Sequence, residues 1–244
     1  MDNKELLSRP ALYVLIVIYI IVGFSTLSAG DALAGVLFDE DRYFENIGAI
    51  GFFLSSFVFF YGFIKSLKSK PVVDLYVRHQ RAIFIGLAFM FFFAGGEEIS
   101  WGQRIFNIQT PETFAEVNVQ GETNIHNIGL FEYIIPFETI FDLFWMFLTV
   151  ILPLLLIYIK SLGEFIGRFI SIPRIYVGML FLFNYLWAKV ATVIYQARYD
   201  FGGVPFVQAV QEVKESNYAL LFILVAIDVI RGLPKRQDSR VSNG

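Results

Sequence analysis

The sequence predicts an all-α integral membrane protein: a six-helix bundle with both termini in the cytoplasm and a long extracytoplasmic loop between spans three and four. The first observation is composition, since 56 % of the 244 residues are hydrophobic and 28 are Phe, more than one soluble core would bury. The second is the presence of six apolar runs that are long enough, or nearly so, to cross a bilayer core of about 30 Å. The third is the alternation of basic residues between successive connections.

The six runs define a single transmembrane domain over 1–233, followed by a polar tail over 234–244 that we expect to be disordered. The first run follows basic residues and ends at Leu27-Ser28-Ala29-Gly30, a pattern that also resembles a cleaved signal peptide. Its length favours an uncleaved anchor. The predicted spans lie near 11–29, 46–65, 82–101, 134–159, 174–195 and 218–233.

The distribution of Lys and Arg predicts which end of each span faces the cytoplasm, because basic residues collect on that side. The connection between spans two and three carries five of them, whereas the connections before and after it carry one each, Arg42 and Arg104. This asymmetry places Glu97 and Glu98 at the extracytoplasmic end of span three. The absence of Cys excludes disulfides, thiolate metal sites and a Cys nucleophile.

Glu97 and Glu98 follow an apolar run, Ala82 to Ala94, and are the strongest candidates for a functional site. A carboxylate at a membrane centre costs about 2.5 to 3.5 kcal/mol, and less toward the interface. Two adjacent carboxylates at the end of an apolar helix are therefore expected to have hydrogen-bonding or ionic partners, or a functional role.

The loop after span three supplies candidate partners for this pair. Glu122 and His126 are four residues apart and would share one face of a helix. With Glu97 and Glu98 they could ligate a divalent ion such as Zn, Mn or Fe, since imidazole and carboxylate suit these metals. Two alternatives stay open: metal-free acid/base work by the carboxylates and His126, and a hydrogen-bonded plug that closes the bundle.

Other polar residues of the predicted outer half are assigned supporting or substrate-binding roles. Glu138 and Asp142 are four apart in span four, and we expect one of them to pair with Lys189 of span five, which either fixes the helix register or holds an anionic group. Arg198 is a candidate clamp for a phosphate or carboxylate. Further candidates are Asp41 and Glu45 as supporting acids, which alternatively favour a helix dipole, and Gln103, Arg104 and Asn127 as residues that orient the substrate.

Three local structures are also predicted. Thr110 as N-cap, with Pro111 at the first helical position, indicates a short interfacial helix. The stretch from Val207 to Lys214 is expected to form a surface helix before the last span. Asp228 and Arg231, three apart, are expected to form a local ion pair.

These residues resemble a pattern shared by a group of bacterial multi-pass membrane proteins to which no activity is attached. The pattern reads Gly-Glu-Glu-x-Ser-Trp-Gly-Gln-Arg, then Thr-Pro, then Asn-x-Gln-Gly-Glu-x-Asn-x-His-Asn, and it corresponds here to 96–104, 110–111 and 118–127, with Glu40, Asp41 and Glu45 upstream. The resemblance implies a location in a bacterial inner membrane.

Two membrane hydrolase families fit less well. The CAAX-protease and bacteriocin-processing family uses Glu-Glu-x-x-x-Arg, Phe-x-x-x-His and a further His, but Gly102 and Glu122 stand where its Arg and Phe belong. Alkaline-ceramidase-like hydrolases need three zinc histidines, and this chain has only His79 and His126.

The functional prediction is a membrane-embedded enzyme of hydrolase or transferase type, acting on a lipid-linked or otherwise membrane-soluble substrate. One alternative is a transporter or proton-coupled permease whose carboxylates carry protons. Another is a non-catalytic membrane subunit that docks a partner. The lipid bilayer is the expected environment, and no nucleic-acid partner is expected.

Overall fold

The computed structural model describes residues 3–28, 31–38, 42–67, 75–103, 105–118, 121, 123–125, 128, 137–167, 169–195 and 206–231, and within these ranges the chain is helical apart from turns and one isolated bridge between Asn118 and Ile128. The helices are α1 (Asn3–Ser25), α2 (Asp31–Leu37), α3 (Tyr43–Leu67), α4 (Leu75–Glu98), α5 (Glu112–Ala115), α6 (Phe137–Met146), α7 (Leu152–Tyr158), α8 (Lys160–Ile166), α9 (Ile175–Tyr195) and α10 (Phe206–Arg231). A π-helical turn, Phe147–Ile151, joins α6 to α7.

Four stretches of the described chain are long and apolar enough to cross a membrane: Tyr43–Leu67, Val77–Glu98, Glu138–Tyr158 and Ile175–Tyr195. A shorter apolar helix covers Leu12–Ser28. They correspond to the first five predicted spans. An all-helical architecture of the described residues, with four helices that are long and apolar enough to span a membrane, is therefore confirmed, while the count of six spans and the cytoplasmic termini stay predictions. The polar tail lies outside the described residues.

The last helix differs from the prediction, because α10 runs without a break from Phe206 to Arg231 and includes the stretch assigned to a separate surface helix. Its first turns are polar but buried, with Lys214 only 6 % exposed and Ser216 and Asn217 at 1 %. Hydropathy alone does not reveal the beginning of this helix, since α6 and α9 supply hydrogen-bond partners for its polar residues. One example is Asn184 of α9, whose side-chain amide donates to the carbonyl of Lys214 at 2.9 Å.

Contacts along the helices show how they are oriented relative to one another. Ser56 of α3 donates to the carbonyl of Ala88 in α4, and Arg81 near the start of α4 donates to the carbonyl of Ser66 near the end of α3. These two helices are therefore antiparallel. Contacts of the same kind bring together one end of each of five helices: the ends of α4 and α9 and the beginnings of α3, α6 and α10. We call this region the polar end of the bundle.

Aromatic side chains fill the bundle next to the polar end. The ring of Phe222 lies 4.7 Å from that of Phe91, 5.0 Å from that of Phe181 and 5.7 Å from that of Phe141, measured between centroids. Phe91, Phe181 and Phe222 are fully buried. This cluster joins four helices and separates the polar end from the opposite end.

At the opposite end, Asp228 of α10 pairs with Arg174, just before α9, and not with Arg231 as predicted. The guanidinium donates to both carboxylate oxygens, through Nε at 2.8 Å and through a terminal nitrogen, and this hydrogen bonding raises the pKa of Arg174. Asp228 is buried, and a buried carboxylate is best satisfied by the two-pronged geometry of an Arg. Arg231 is exposed.

Candidate functional site

Glu98, the last residue of α4, lies at the meeting point of three helices. A Cβ atom added to Gly48 of α3 would stand 3.1 Å from its Oε2 and 3.7 Å from the Cα of Ser216 in α10. The absence of a side chain at Gly48 thus leaves the space that the carboxylate occupies.

Four other carboxylates lie near enough to Glu98 to interact with its charge: Glu45, Glu97, Glu212 and Glu215. Each of these four also has further partners of its own. We call the five residues the carboxylate cluster. Like charges that lie close together in apolar surroundings repel one another strongly.

Glu97 differs from its neighbour in how its oxygens are used. It is only 6 % exposed, and its Oε1 accepts a 2.6 Å hydrogen bond from the indole Nε1 of Trp101. Its Oε2 accepts another, also 2.6 Å, from the backbone N–H of Ile125. Adjacent residues of a helix point about 100° apart, so the side chains of Glu97 and Glu98 face different parts of the protein. We interpret Glu97 as a positioning residue that attaches the loop to α4.

A left-handed turn follows the glutamate pair. Ser100, Trp101 and Gly102 have φ of 45°, 55° and 77°, a conformation that costs about 1–2 kcal/mol for each non-glycine residue. The turn folds the indole back over Gly96, where an added Cβ would lie 2.8 Å from the ring. The packing of the Trp101 indole on Gly96 and its hydrogen bond to Glu97 therefore offset the backbone strain of the left-handed turn.

Side-chain amides tie the loop to this turn. The Oε1 of Gln103 accepts 2.8 Å hydrogen bonds from both the backbone N–H and the hydroxyl of Thr123, and its nitrogen donates to the hydroxyl of Thr110. Asn124 donates to the Ser100 hydroxyl at 3.2 Å. Gln103, predicted to orient a substrate, is thus engaged within the loop. The sequence between Gly121 and Ile125 carries Glu122 and leads into His126.

The predicted interfacial helix is present as α5, but its cap is different. Pro111 occupies the N-cap position, and no side chain caps the helix. The Thr110 hydroxyl donates to the carbonyl of Gly121 at 2.7 Å instead. The Thr110 side chain is therefore used in a contact with a residue distant in sequence and does not cap α5.

The predicted partner of Lys189 is also different. Glu138 pairs with Lys214 of α10 and accepts a 2.8 Å hydrogen bond from Gln211, while Asp142 accepts one from the indole of Trp145 at 2.8 Å. The Lys189 ammonium lies 5.3 Å from the centre of the Tyr185 ring. The sequence places the beginning of α10 at the surface and therefore does not indicate Lys214 as the partner of Glu138.

Six predicted site residues lie outside the part of the chain that the structure describes: Asp41, Arg104, Glu122, His126, Asn127 and Arg198. The convergence of Glu122 and His126 on the glutamate pair therefore stays a prediction. Within the described ranges, no group of three or more His, Cys, Asp or Glu side chains has the geometry of a metal site.

Sequence reasoning did not assign Glu212 and Glu215 to the site. A signal was available, because 206–231 contains neither Gly nor Pro, while Pro205 precedes it and Gly232 follows, which is typical of one uninterrupted helix. In that helix Glu212, Glu215 and Ser216 share one face, and Gln211, Lys214 and Tyr218 share another. The first face meets Glu98 and the second meets Glu138.

No protein-family model matches this chain, and a comparison with curated proteins and with solved structures finds no match either.

Proposed function

We propose that the protein is a membrane-embedded enzyme of hydrolase or transferase type, with a polar site on the extracytoplasmic side of a bacterial inner membrane. The observation that carries the proposal is the position of Glu98 between α3, α4 and α10, with four further carboxylates acting on it. A carboxylate kept among like charges and away from most of the solvent is a common feature of catalytic sites.

A pocket that opens on one side suits an enzyme better than a transporter. The aromatic cluster around Phe222 packs directly below the polar end. In the sequence, no ionisable residue occurs between Ala219 and Ile227 of α10 or between Ala82 and Gly96 of α4. A proton-coupled permease would need polar groups along such a path, so the permease is the less favoured alternative.

The chemistry assigned to the cluster is general acid/base work centred on Glu98, with or without a metal. The ligands proposed for a metal are Glu97, Glu98, Glu122 and His126, and of these Glu97 already accepts two hydrogen bonds. Such a carboxylate-rich set favours Mn or Fe over Zn. A bound ion would activate water or polarise the bond to be cleaved.

The substrate class follows from where the cluster lies. Since Glu98 ends a helix that is apolar enough to cross the membrane, a lipid-linked or membrane-soluble substrate would reach it laterally. Lys189 is exposed near the end of α9, and with Arg198 it would meet an anionic headgroup. Glu138 then supports the neighbouring α10 through Lys214, and Asp142 holds the indole of Trp145 on its own helix.

The proposal is tested by lipid profiling in a deletion strain of the source bacterium complemented with variants. Glu98→Gln removes the charge of the central carboxylate, and Glu116→Gln, at an exposed position after α5, is the matched control. We expect wild type and Glu116→Gln to restore the same change in membrane lipids or lipid-linked precursors, and Glu98→Gln to fail at equal protein level. Full restoration by Glu98→Gln would overturn the proposal.

The metal component has its own test. Wild-type protein purified in detergent is analysed for Zn, Mn and Fe after dialysis, alongside Glu98→Gln and Glu116→Gln. We expect one metal near stoichiometry in wild type and in Glu116→Gln, and its loss in Glu98→Gln. The same low metal content in all three would exclude the metal and leave acid/base work by the carboxylates.

A further inference from the structure

The segment after the left-handed turn exposes large apolar side chains next to one another. Ile105 is 67 % exposed, Phe106 72 % and Ile108 57 %. Complete burial of one such side chain is worth about 1.5–3 kcal/mol, so leaving all of them in water is unfavourable. Contiguous exposed apolar surface usually marks a contact with another molecule or with lipid.

This surface is continuous with the apolar face of α4. The exposed indole of Trp101 lies 5.3 Å from the ring of Phe93 and 6.5 Å from that of Phe92, measured between centroids. Phe106 continues the chain of contacts, since an added Cβ on Gly102 would lie 2.9 Å from its ring. Phe89, Phe92 and Phe93 are themselves exposed on α4, one of the helices apolar enough to cross a membrane.

The length of α4 places this segment at the level of the lipid headgroups. The helix spans 24 residues, which corresponds to roughly 36 Å at about 1.5 Å per residue and exceeds the hydrocarbon core of about 30 Å. Its charged residues lie near its two ends, Arg78 and Arg81 in the first turns and Glu97 and Glu98 in the last, so its final turn reaches the headgroup region. Trp and Tyr are enriched there because their apolar rings carry a polar N–H or O–H group.

We propose that Trp101, Ile105, Phe106 and Ile108, named here the interfacial loop, insert into the headgroup–acyl boundary of the same bilayer. The occupant of the exposed surface is thus lipid, not a second protein. This inference does not depend on any enzymatic activity. It also has a consequence for the site: Gln103, which lies within the loop, binds Thr123, so the wall of the site and the membrane surface are held together.

The absence of Cys permits a direct test by site-directed spin labelling. Phe106→Cys and Ile105→Cys are labelled with a nitroxide and reconstituted into vesicles of phosphatidylethanolamine and phosphatidylglycerol. Accessibility is measured to oxygen, which concentrates in the bilayer, and to a nickel chelate, which stays in water. The controls are Phe89→Cys on the exposed face of α4 and Glu116→Cys on the outer connection.

We expect both loop labels to favour oxygen over the chelate, with a ratio between those of the Phe89→Cys and Glu116→Cys labels. A ratio equal to that of Glu116→Cys would place the loop in water and overturn the proposal. Low accessibility to both reagents would show that protein covers the loop, and would overturn it as well. Since both side chains are exposed, neither substitution removes a buried contact, and agreement between the two positions excludes a local artefact.

Discussion

The backbone N–H of Ile125 donates a 2.6 Å hydrogen bond to the Oε2 of Glu97, across 28 residues of sequence. The same carboxylate holds the indole of Trp101 through its other oxygen. One buried side chain thus joins the end of α4, the left-handed turn and the loop segment at Ile125. This contact separates the roles of two adjacent glutamates that look equivalent in the sequence.

Glu97→Gln should destabilise this end of the protein by about 1–3 kcal/mol, the usual cost of leaving a buried hydrogen-bonding group unsatisfied. The amide that replaces one oxygen would face an N–H donor, so only one of the two hydrogen bonds can remain. Thermal unfolding in detergent and hydrogen exchange of the segment around Ile125 measure the effect. Glu98→Gln should show no such loss of stability, and equal destabilisation by both substitutions would contradict the division of roles.

Gly96→Ala should displace the indole of Trp101, because the added methyl would lie 2.8 Å from the ring. We expect a lower unfolding temperature and a red-shifted tryptophan fluorescence as the indole becomes more hydrated. Gly86→Ala is the matched control in the same helix, since an added Cβ there meets nothing within 4 Å, and Ala is better than Gly in a helix by about 1 kcal/mol. Identical behaviour of the two variants would mean that the indole does not pack on Gly96.

Gly178→Ala should be among the most damaging small substitutions in the bundle. The added Cβ would lie 2.1 Å from the carbonyl oxygen of Thr149, in the π-helical turn between α6 and α7. Relief requires α9 to move away from a backbone atom, and overpacking of this kind costs about 1–3 kcal/mol. Gly86→Ala again serves as the reference, and an unfolding temperature equal to that of Gly86→Ala would refute the close approach.

A double-mutant cycle should find that Glu138 couples to Lys214 and only weakly to Lys189. Single and double variants, Glu138→Gln with Lys214→Gln or Lys189→Gln, are compared by thermal or chemical unfolding. Side chains in direct contact show coupling energies of about 0.5–3 kcal/mol, and Lys214 is the ion-pair partner of Glu138. Stronger coupling to Lys189 would restore the pairing that the sequence suggested.

The hydropathy of the sequence was sufficient to predict much of the fold. Apolar runs identified the stretches that became α1, α3, α4, α6 with α7, and α9, because a helix that crosses lipid must be apolar on nearly every face. The same criterion failed for the beginning of α10, whose polar residues are buried against other helices. Hydropathy reports a preference for lipid, and a helix at the centre of a bundle has little contact with lipid.

The sequence by itself also determined where the charged groups of the site lie along the chain: Glu97 and Glu98 stand at the end of an apolar helix, and their position predicted that they need partners. Only the tertiary structure decided which partners those are. Glu97 binds Trp101 and Ile125, whereas Glu98 lies against Gly48 of α3, close to Ser216 of α10. The reason is geometric, since sequence spacing shows which residues share a helical face, while the packing of the helices decides what that face meets.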